Sequence, residues 1–341
     1  MLSSWKLVST LLIICTALIF IISLGIGRYN VPVESVIKIL LSKLVTIQQD
    51  WSPTMSIVVL QIRLPRLIMV ALVGGALAIS GATFQATLKN PLVSSDILGV
   101  SAGAGFGAAI GLYFQLNVIS IQILALVFGM AAVGMAYAIH SLTRKSSTLI
   151  LVLSGIIVGS FFSALVSLIK FLANQSLPSN GAFTAIVFWL LGSFSNAGTY
   201  ANVFQFGPPI LIGIIVLLLL RWRVNVLSLE DTEAKALGVN VKLYQGVIIF
   251  FATLITASAV SVAGLVGWIG LFVPHVARML VGSNNSKVLP VSILIGISFL
   301  IAMDDIARAL TPYEIPIGIL TAIVGLPLFA YLLVRQKVGW S

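Results

Sequence analysis

The sequence predicts an all-α polytopic membrane protein of about ten transmembrane helices, and three observations predict it. Hydrophobic residues make up 59% of the 341 and charged residues only 8%, whereas soluble domains are about 45–50% apolar. Apolar runs long enough to cross a bilayer recur along the whole chain, and about 20 residues suffice to cross about 30 Å of hydrocarbon. The charges that remain fall between these runs and are densest from Arg221 to Leu243. A net charge of +10 would suggest nucleic acid in a soluble chain, but here the basic residues flank spans and orient the chain against lipid, so no nucleic-acid partner is expected. The lone Cys15 lies inside the first run, which leaves no disulfide framework and no cysteine metal site. Residues 1–341 are expected to form a single transmembrane domain.

The first span is Leu7 to Gly27. It is longer than the apolar core of a signal peptide and lacks a small-residue cleavage site, so it is expected to be retained. From Arg28 to Arg66 the chain is expected to leave the membrane, with an amphipathic helix over Val36 to Val45 lying along the surface. Span two runs from Leu67 to about Gln85 and ends at the polar turn Lys89-Asn90-Pro91-Leu92. Span three, Ile97 to Phe114, carries Gly99, Gly103, Gly107 and Gly111 four residues apart, a row on one helix face that lets a neighbouring backbone come close. Gly103 to Gly107 follows no strand, so a nucleotide-binding reading is set aside.

Span four is Val118 to Ile139. Span five, Leu149 to Leu172, repeats the small-residue pattern at Gly155, Gly159 and Ser163, and Lys170 near its outer end is a charge at membrane depth. Ala173 to Tyr200 reads as a long external loop or a partly re-entrant piece. Span six is Ala201 to Leu220 and span seven Tyr244 to Val266. A short span eight, Trp268 to Val281, is expected to be interrupted at Pro274-His275. Span nine is Val288 to Met303, followed by Asp304-Asp305 and Arg308, and span ten is Ile315 to Val334. With the N-terminus inside, twelve Lys and Arg fall on the inner side and seven outside, which predicts cytoplasmic termini and a cytoplasmic Arg221–Leu243 loop. Within that loop a helix is expected from Thr232 to Leu237, stopped by Gly238.

These residues together resemble a family. Arg63-Leu64-Pro65-Arg66, Ser80-Gly81 with Gln85, Asn90-Pro91-Leu92, Ile97 to Ser101 with Gly103-Ala104, Trp189 with Gly192-Ser193, Ala234 with Leu237-Gly238, Gly267 to Gly270 leading into Pro274-His275 and Arg278, and Ile315 to Gly318 with Gly325 occur in this order. In this the sequence resembles the FecCD-type, or type II, permease subunits of ABC importers for ferric siderophores, haem and cobalamin. It departs from that pattern at Lys89, Ser95 and Glu230.

The resemblance implies a bundle like that of the cobalamin importer permease and a transport subunit without enzymatic activity. Its partners would be a second permease copy or relative, two ATP-binding subunits and an external substrate-binding protein, in the cell's inner membrane. No Gly-x-x-x-x-Gly-Lys-Ser/Thr pattern is present, so ATP and Mg²⁺ would belong to the partner ATPase and no cofactor to this chain. The resemblance makes Glu230, Ala234, Leu237, Gly238 and Val239, with His275 and Arg278 nearby, the ATPase-coupling surface. It makes Arg63, Arg66 and Arg308 the docking set for the binding protein, since guanidinium groups hold carboxylates bidentately. Gly99, Gly103, Gly107, Gly155 and Gly159 would pack helices along the pathway, and Ser146, Ser147 and Thr148 could form an inner gate. The cargo implied is a metal chelate, chiefly a ferric siderophore, with molybdate or tungstate as the alternative. An ion-coupled carrier is the rival class, but it would be expected to bury coupling carboxylates within spans. With two His and one Cys, neither a membrane enzyme nor a metal site is expected.

Overall fold

A computed structural model of the protein describes residues 4–46, 48–94, 96–143, 148–175, 181–195 and 197–335. The described residues are helical with no strands. Their order is α1 Ser4–Gly25, α2 Val33–Leu41, α3 Pro53–Ile57, a π-helical stretch Val58–Arg63, α4 Leu64–Thr87, α5 Val100–Tyr113, α6 Val118–Leu142 and α7 Thr148–Gln175. There follow α8 Ala182–Leu191, α9 Tyr200–Leu219, α10 Arg221–Leu227, α11 Asp231–Ala236, α12 Val241–Ala263, α13 Ile269–Val281, α14 Asn285–Ala309 and α15 Ile317–Arg335. Among the described residues, seven helical runs are long and apolar enough to span a membrane. The shorter α5, α13 and α15 fill the positions of the remaining expected spans.

Helix α4 is the axis of the bundle. Every residue from Val73 to Thr87 is buried, and a helix apolar on all sides belongs inside other helices. It packs against α14, α12, α13 and α9. Lipid supplies no hydrophobic drive between helices, so they hold together by close packing, and α4 achieves this through glycine. A Cβ on Gly74 would lie 3.0 Å from the Leu300 Cβ, and one on Gly81 would overlap the carbonyl of Gly270 in α13. The glycine row of α5 does the same toward α6. A Cβ on Gly103 would overlap the Phe128 carbonyl, one on Gly107 the Leu124 carbonyl, and one on Gly111 would meet Ile121. On the other side Gly155 of α7 receives the backbone at Ile97 and Leu98, while Gly159 lies against Gly99.

Two sequence expectations are corrected. The second span begins at Pro53 rather than Leu67, so Arg63 and Arg66 lie in a continuous helical run and the external segment is shorter than residues 28–66. Pro65 does not break the run. Proline lacks an N–H and clashes with the preceding turn, and the wide turn just before it accommodates this, with the Leu64 N–H reaching back five residues to the Val59 carbonyl. Likewise Pro274 sits inside α13 without interrupting it. The chain breaks instead at residues 264–268, where Gly264 and Trp268 take φ of +70° and +72°. Here the ends of α8 and α12 and the start of α15 meet backbone to backbone: Ser193 N–H donates to Ala263 O at 2.8 Å and Ile317 N–H to Gly192 O at 2.9 Å. Non-helical backbone at membrane depth requires such internal partners. Of the two readings of 173–200, external loop or partly re-entrant piece, α8 and its bonds to this junction support the second.

Outside the membrane, α2 buries Val36 and Ile39. Its Lys38 pairs with Glu34 at 2.8 Å and with Asp50, and these carboxylates, Asp50 first, raise the Lys38 pKa above the ordinary lysine range.

The packing makes a direct prediction. Gly81→Ala inserts a methyl where backbone already stands and is expected to cost about 1–3 kcal/mol, whereas Gly134→Ala meets nothing within 4 Å and should be neutral or stabilise by up to about 1 kcal/mol. Thermal unfolding of the purified protein in detergent checks this, and equal midpoints for the two variants would refute it.

Candidate functional site

The charged island folds as expected in outline. Glu230 precedes α11, and its N–H donates to the Glu233 carboxylate at 3.3 Å, one half of a capping box. The helix ends at Ala236 with Leu237 as its cap, and Gly238 turns the chain with φ +73°, the left-handed conformation that favours glycine at a helix end. The orientation of its residues differs from the expectation. Ala234 and Val239 are buried together with Val226, with Val241 and Tyr244 packed beside them. They anchor the helix to the bundle and are not available as contact residues. What projects is Leu237, 55% exposed, with Leu229 and Leu243 flanking it, and Gly238 with open space beyond it. Arg223 fastens the base: its guanidinium lies 4.8 Å from the Trp222 ring centroid and 4.7 Å from that of Tyr244, at cation–π distance from both. The sequence reading missed this clamp, although Trp-Arg beside a helix-starting Tyr was visible.

His275 and Arg278 are not on that surface either. His275 is buried against Phe329, and Arg278 donates to the Gln85 side-chain carbonyl. The Gln85 amide in turn donates to Val93 O at 3.0 Å and Leu271 O at 3.1 Å. One side chain of α4 therefore ties the 88–99 turn to α13. Gln85 was read only as part of a motif; its burial is what gives it this role.

At the opposite face the three predicted docking arginines turn inward. Arg63 donates to the carbonyls of Leu24, Gly25 and Tyr29, closing the end of α1 where helix carbonyls lack partners. Arg66 is shared between Asp304, at 2.9 Å, and Glu314, at 2.8 Å. Arg308 lies 3.3 Å from Asp304 and pairs with Asp305 and the Ser23 carbonyl. Two guanidinium groups, those of Arg66 and Arg308, thus meet three carboxylates, and Asp304 is wholly buried between them. Buried charges demand such pairing. In this structure Arg63, Arg66 and Arg308 are buried and tie α1, α4, α14 and the 310–316 segment together.

Between α5 and α7 runs a groove of about 480 Å³ lined by Gly99, Ser101, Gly155, Gly159, Ser160 and Ser163, with Asp96 in its wall. Small and hydroxyl-bearing residues at membrane depth make a surface that can pass polar material. Of the expected gate residues, Ser146 and Ser147 lie outside the described residues, and Thr148 begins α7. No group of three or more His, Cys, Asp or Glu that could hold a metal occurs among the described residues.

Comparison with known proteins places this architecture. The model of the FecCD transport family matches residues 14–335. The chain belongs to the FecCD transport family. It is 39% identical over 332 residues to the molybdate import system permease protein MolB of Haemophilus influenzae, covering 97% of this chain and 95% of that one. It is 37% identical to the cobalamin import system permease protein BtuC of Halobacterium salinarum, over 84% of this chain and 75% of that one. A solved inward-facing ABC transporter classed as metal-chelate type superposes with a TM-score of 0.85 at 35% identity, over 97% of this chain and all of that one. This FecCD protein is accordingly a membrane-spanning ABC importer permease.

The charge cluster carries a prediction. Asp304→Ala leaves two buried guanidinium groups underpaired and should destabilise the protein by about 3–5 kcal/mol. Glu314→Gln, whose site is 32% exposed, should cost less than about 1 kcal/mol. Unfolding midpoints test the difference, and an Asp304→Ala midpoint equal to wild type would contradict the assignment.

Proposed function

We propose that this permease forms the membrane path of a binding-protein-dependent ABC importer that carries a metal chelate, such as a ferric siderophore, haem or cobalamin, across the cell's inner membrane. The observation that carries the reading is the projecting Leu237–Gly238 tip, held rigidly by Ala234, Val239 and the Arg223 clamp at the mouth of the bundle. An apolar side chain beside an open glycine turn suits a socket on another protein. Two ATP-binding subunits, carrying ATP and Mg²⁺, seat on this tip. Two permease copies or relatives face each other across the α5–α7 groove, and an external binding protein delivers cargo to the outer face. The termini are cytoplasmic, residues 1–341 act as one domain, and no bond of the cargo is broken.

Closure of the ATPase pair moves the island, and because Ala234, Val239 and Tyr244 pack it onto α12, the motion reaches the bundle as a rigid-body shift. The carboxylates best placed to couple an ion gradient, Asp304 and Asp305, are engaged by Arg66 and Arg308. That favours ATP-driven alternating access over a secondary carrier. The similarity to MolB keeps molybdate or tungstate as the second cargo reading.

Leu237→Asp should lower ATP-driven uptake by at least about tenfold and release the ATPase during copurification, as loss of an interface anchor does. Leu44→Asp, 82% exposed in the external segment, should leave both unchanged. Retained ATPase and uptake in Leu237→Asp would overturn the coupling role.

A further inference from the structure

A second cavity, of about 360 Å³, belongs to none of the roles above. It lies where the end of α5, the start of α6, α8 and the end of α12 meet. Ile121, Gln122, Ser261 and Gly264 form its buried floor, and Val118, Phe188 and Ser195 stand on its exposed rim. The walls are fixed by backbone. A Cβ on Gly264 would overlap the Trp189 carbonyl, and Ser193 N–H donates to Ala263 O at 2.8 Å, so α8 is pinned to the end of α12. In the floor Gln122 is 4% exposed, and its side-chain oxygen has no hydrogen-bond partner among the described residues. Ser261, wholly buried, gives its proton to Ser258 O at 2.9 Å and keeps its lone pairs free to accept. Glu314 is the one ionisable side chain among the lining residues, and Arg66 donates to both of its oxygens.

We infer that this cavity is a binding site for an uncharged organic group that carries O–H or N–H donors on an apolar ring, such as a catechol arm of a metal chelate, with Gln122 as its polar contact. Calling that group part of the cargo rests on the importer reading; the site itself does not. An amide oxygen buried without a donor is costly, and a ligand donor that reaches Gln122 recovers the cost. The rings of Trp189 and Phe188 line the same cavity and offer apolar surface to a ligand ring. A compact oxyanion finds only acceptor oxygens in the floor and no lysine, arginine or histidine among the lining residues, so its charge would go unpaired. The volume sits at the lower end of the range for small-molecule sites, about 300–1,000 Å³, and suits one arm of a chelate rather than a whole cobalamin.

The test uses the permease assembled with its ATPase subunits in lipid nanodiscs and neutral catechol as the probe, with Kd read from saturation-transfer NMR titrations. Wild type should bind catechol saturably, and Gln122→Leu should bind it about fivefold to tenfold more weakly. Ala185→Trp, at an exposed lining position, should fill the mouth and abolish binding. Because the Gln122 oxygen bonds to no described residue, Gln122→Leu should leave the unfolding midpoint equal to wild type or higher; a lowered midpoint would mark a structural glutamine and overturn its assignment as the ligand contact. Catechol binding that is absent, or unchanged in both variants, would overturn the site, and displacement of catechol by equimolar molybdate would overturn the ligand class. ATP-driven uptake of a ferric catecholate siderophore is measured in parallel. Uptake without catechol binding sinks the site alone, whereas binding that responds to both variants, with no ATP-driven uptake of any chelate, sinks the importer reading and leaves the site standing.

Discussion

Backbone meeting backbone through glycine along α4 is the constraint on which the rest of the structure depends. In hydrocarbon, helices gain little from merely being apolar, because lipid is equally apolar; they must come close enough for dispersion and internal hydrogen bonds to hold them. Gly74 against α14 and Gly81 against α13 set that approach at two heights of a helix whose inner half is completely buried. Polar ties then fix the two ends. Gln85 holds the turn after α4 to α13, and Arg66, shared by Asp304 and Glu314, holds the other end to α14 and to the segment before α15. Sliding α4 by one turn would bring side chains where glycine now stands and would strip both ties of their partners.

From this rigid axis the functional parts are hung at different depths. The α5–α7 pair uses the same glycine device, but its outer side carries hydroxyls and open space in place of packed side chains. The island of α10 and α11 is anchored on its apolar underside and presents an apolar tip. Stiffness between tip and groove is what a machine driven from outside the membrane requires, since a compliant connection would absorb the movement before it reached the path.

Much of this was legible in the sequence. The glycine spacing of the third span, the charged island and its terminating Gly238, and the order of the spans follow from periodicity, capping and hydropathy, and the resemblance to the FecCD-type permeases agrees with the family match. What was not legible depended on partners remote in sequence. Proline at 274 reads locally as an interruption, and only the packing of α13 within the bundle shows otherwise. The resemblance gives Arg63 and Arg66 only as docking residues; the partners that bury Arg66, Asp304 and Glu314, lie some 240 residues away, and those of Arg63 are the carbonyls that end α1. Ala234 could not be oriented because α11, at 6 residues, is too short for its buried face to emerge from periodicity. The break at 264–268 was announced by its glycines, but its role as the meeting point of α8, α12 and α15 needed the fold.

The central claim is that this chain moves cargo only when another chain hydrolyses ATP. The most direct measurement is uptake into proteoliposomes holding the permease, its ATPase subunits and its binding protein, with a ferric siderophore, haem, cobalamin and molybdate offered in turn. The expected result is accumulation of a metal chelate that requires ATP and stops when the ATPase subunits are left out. Accumulation that proceeds without them, driven by an ion gradient alone, would contradict it.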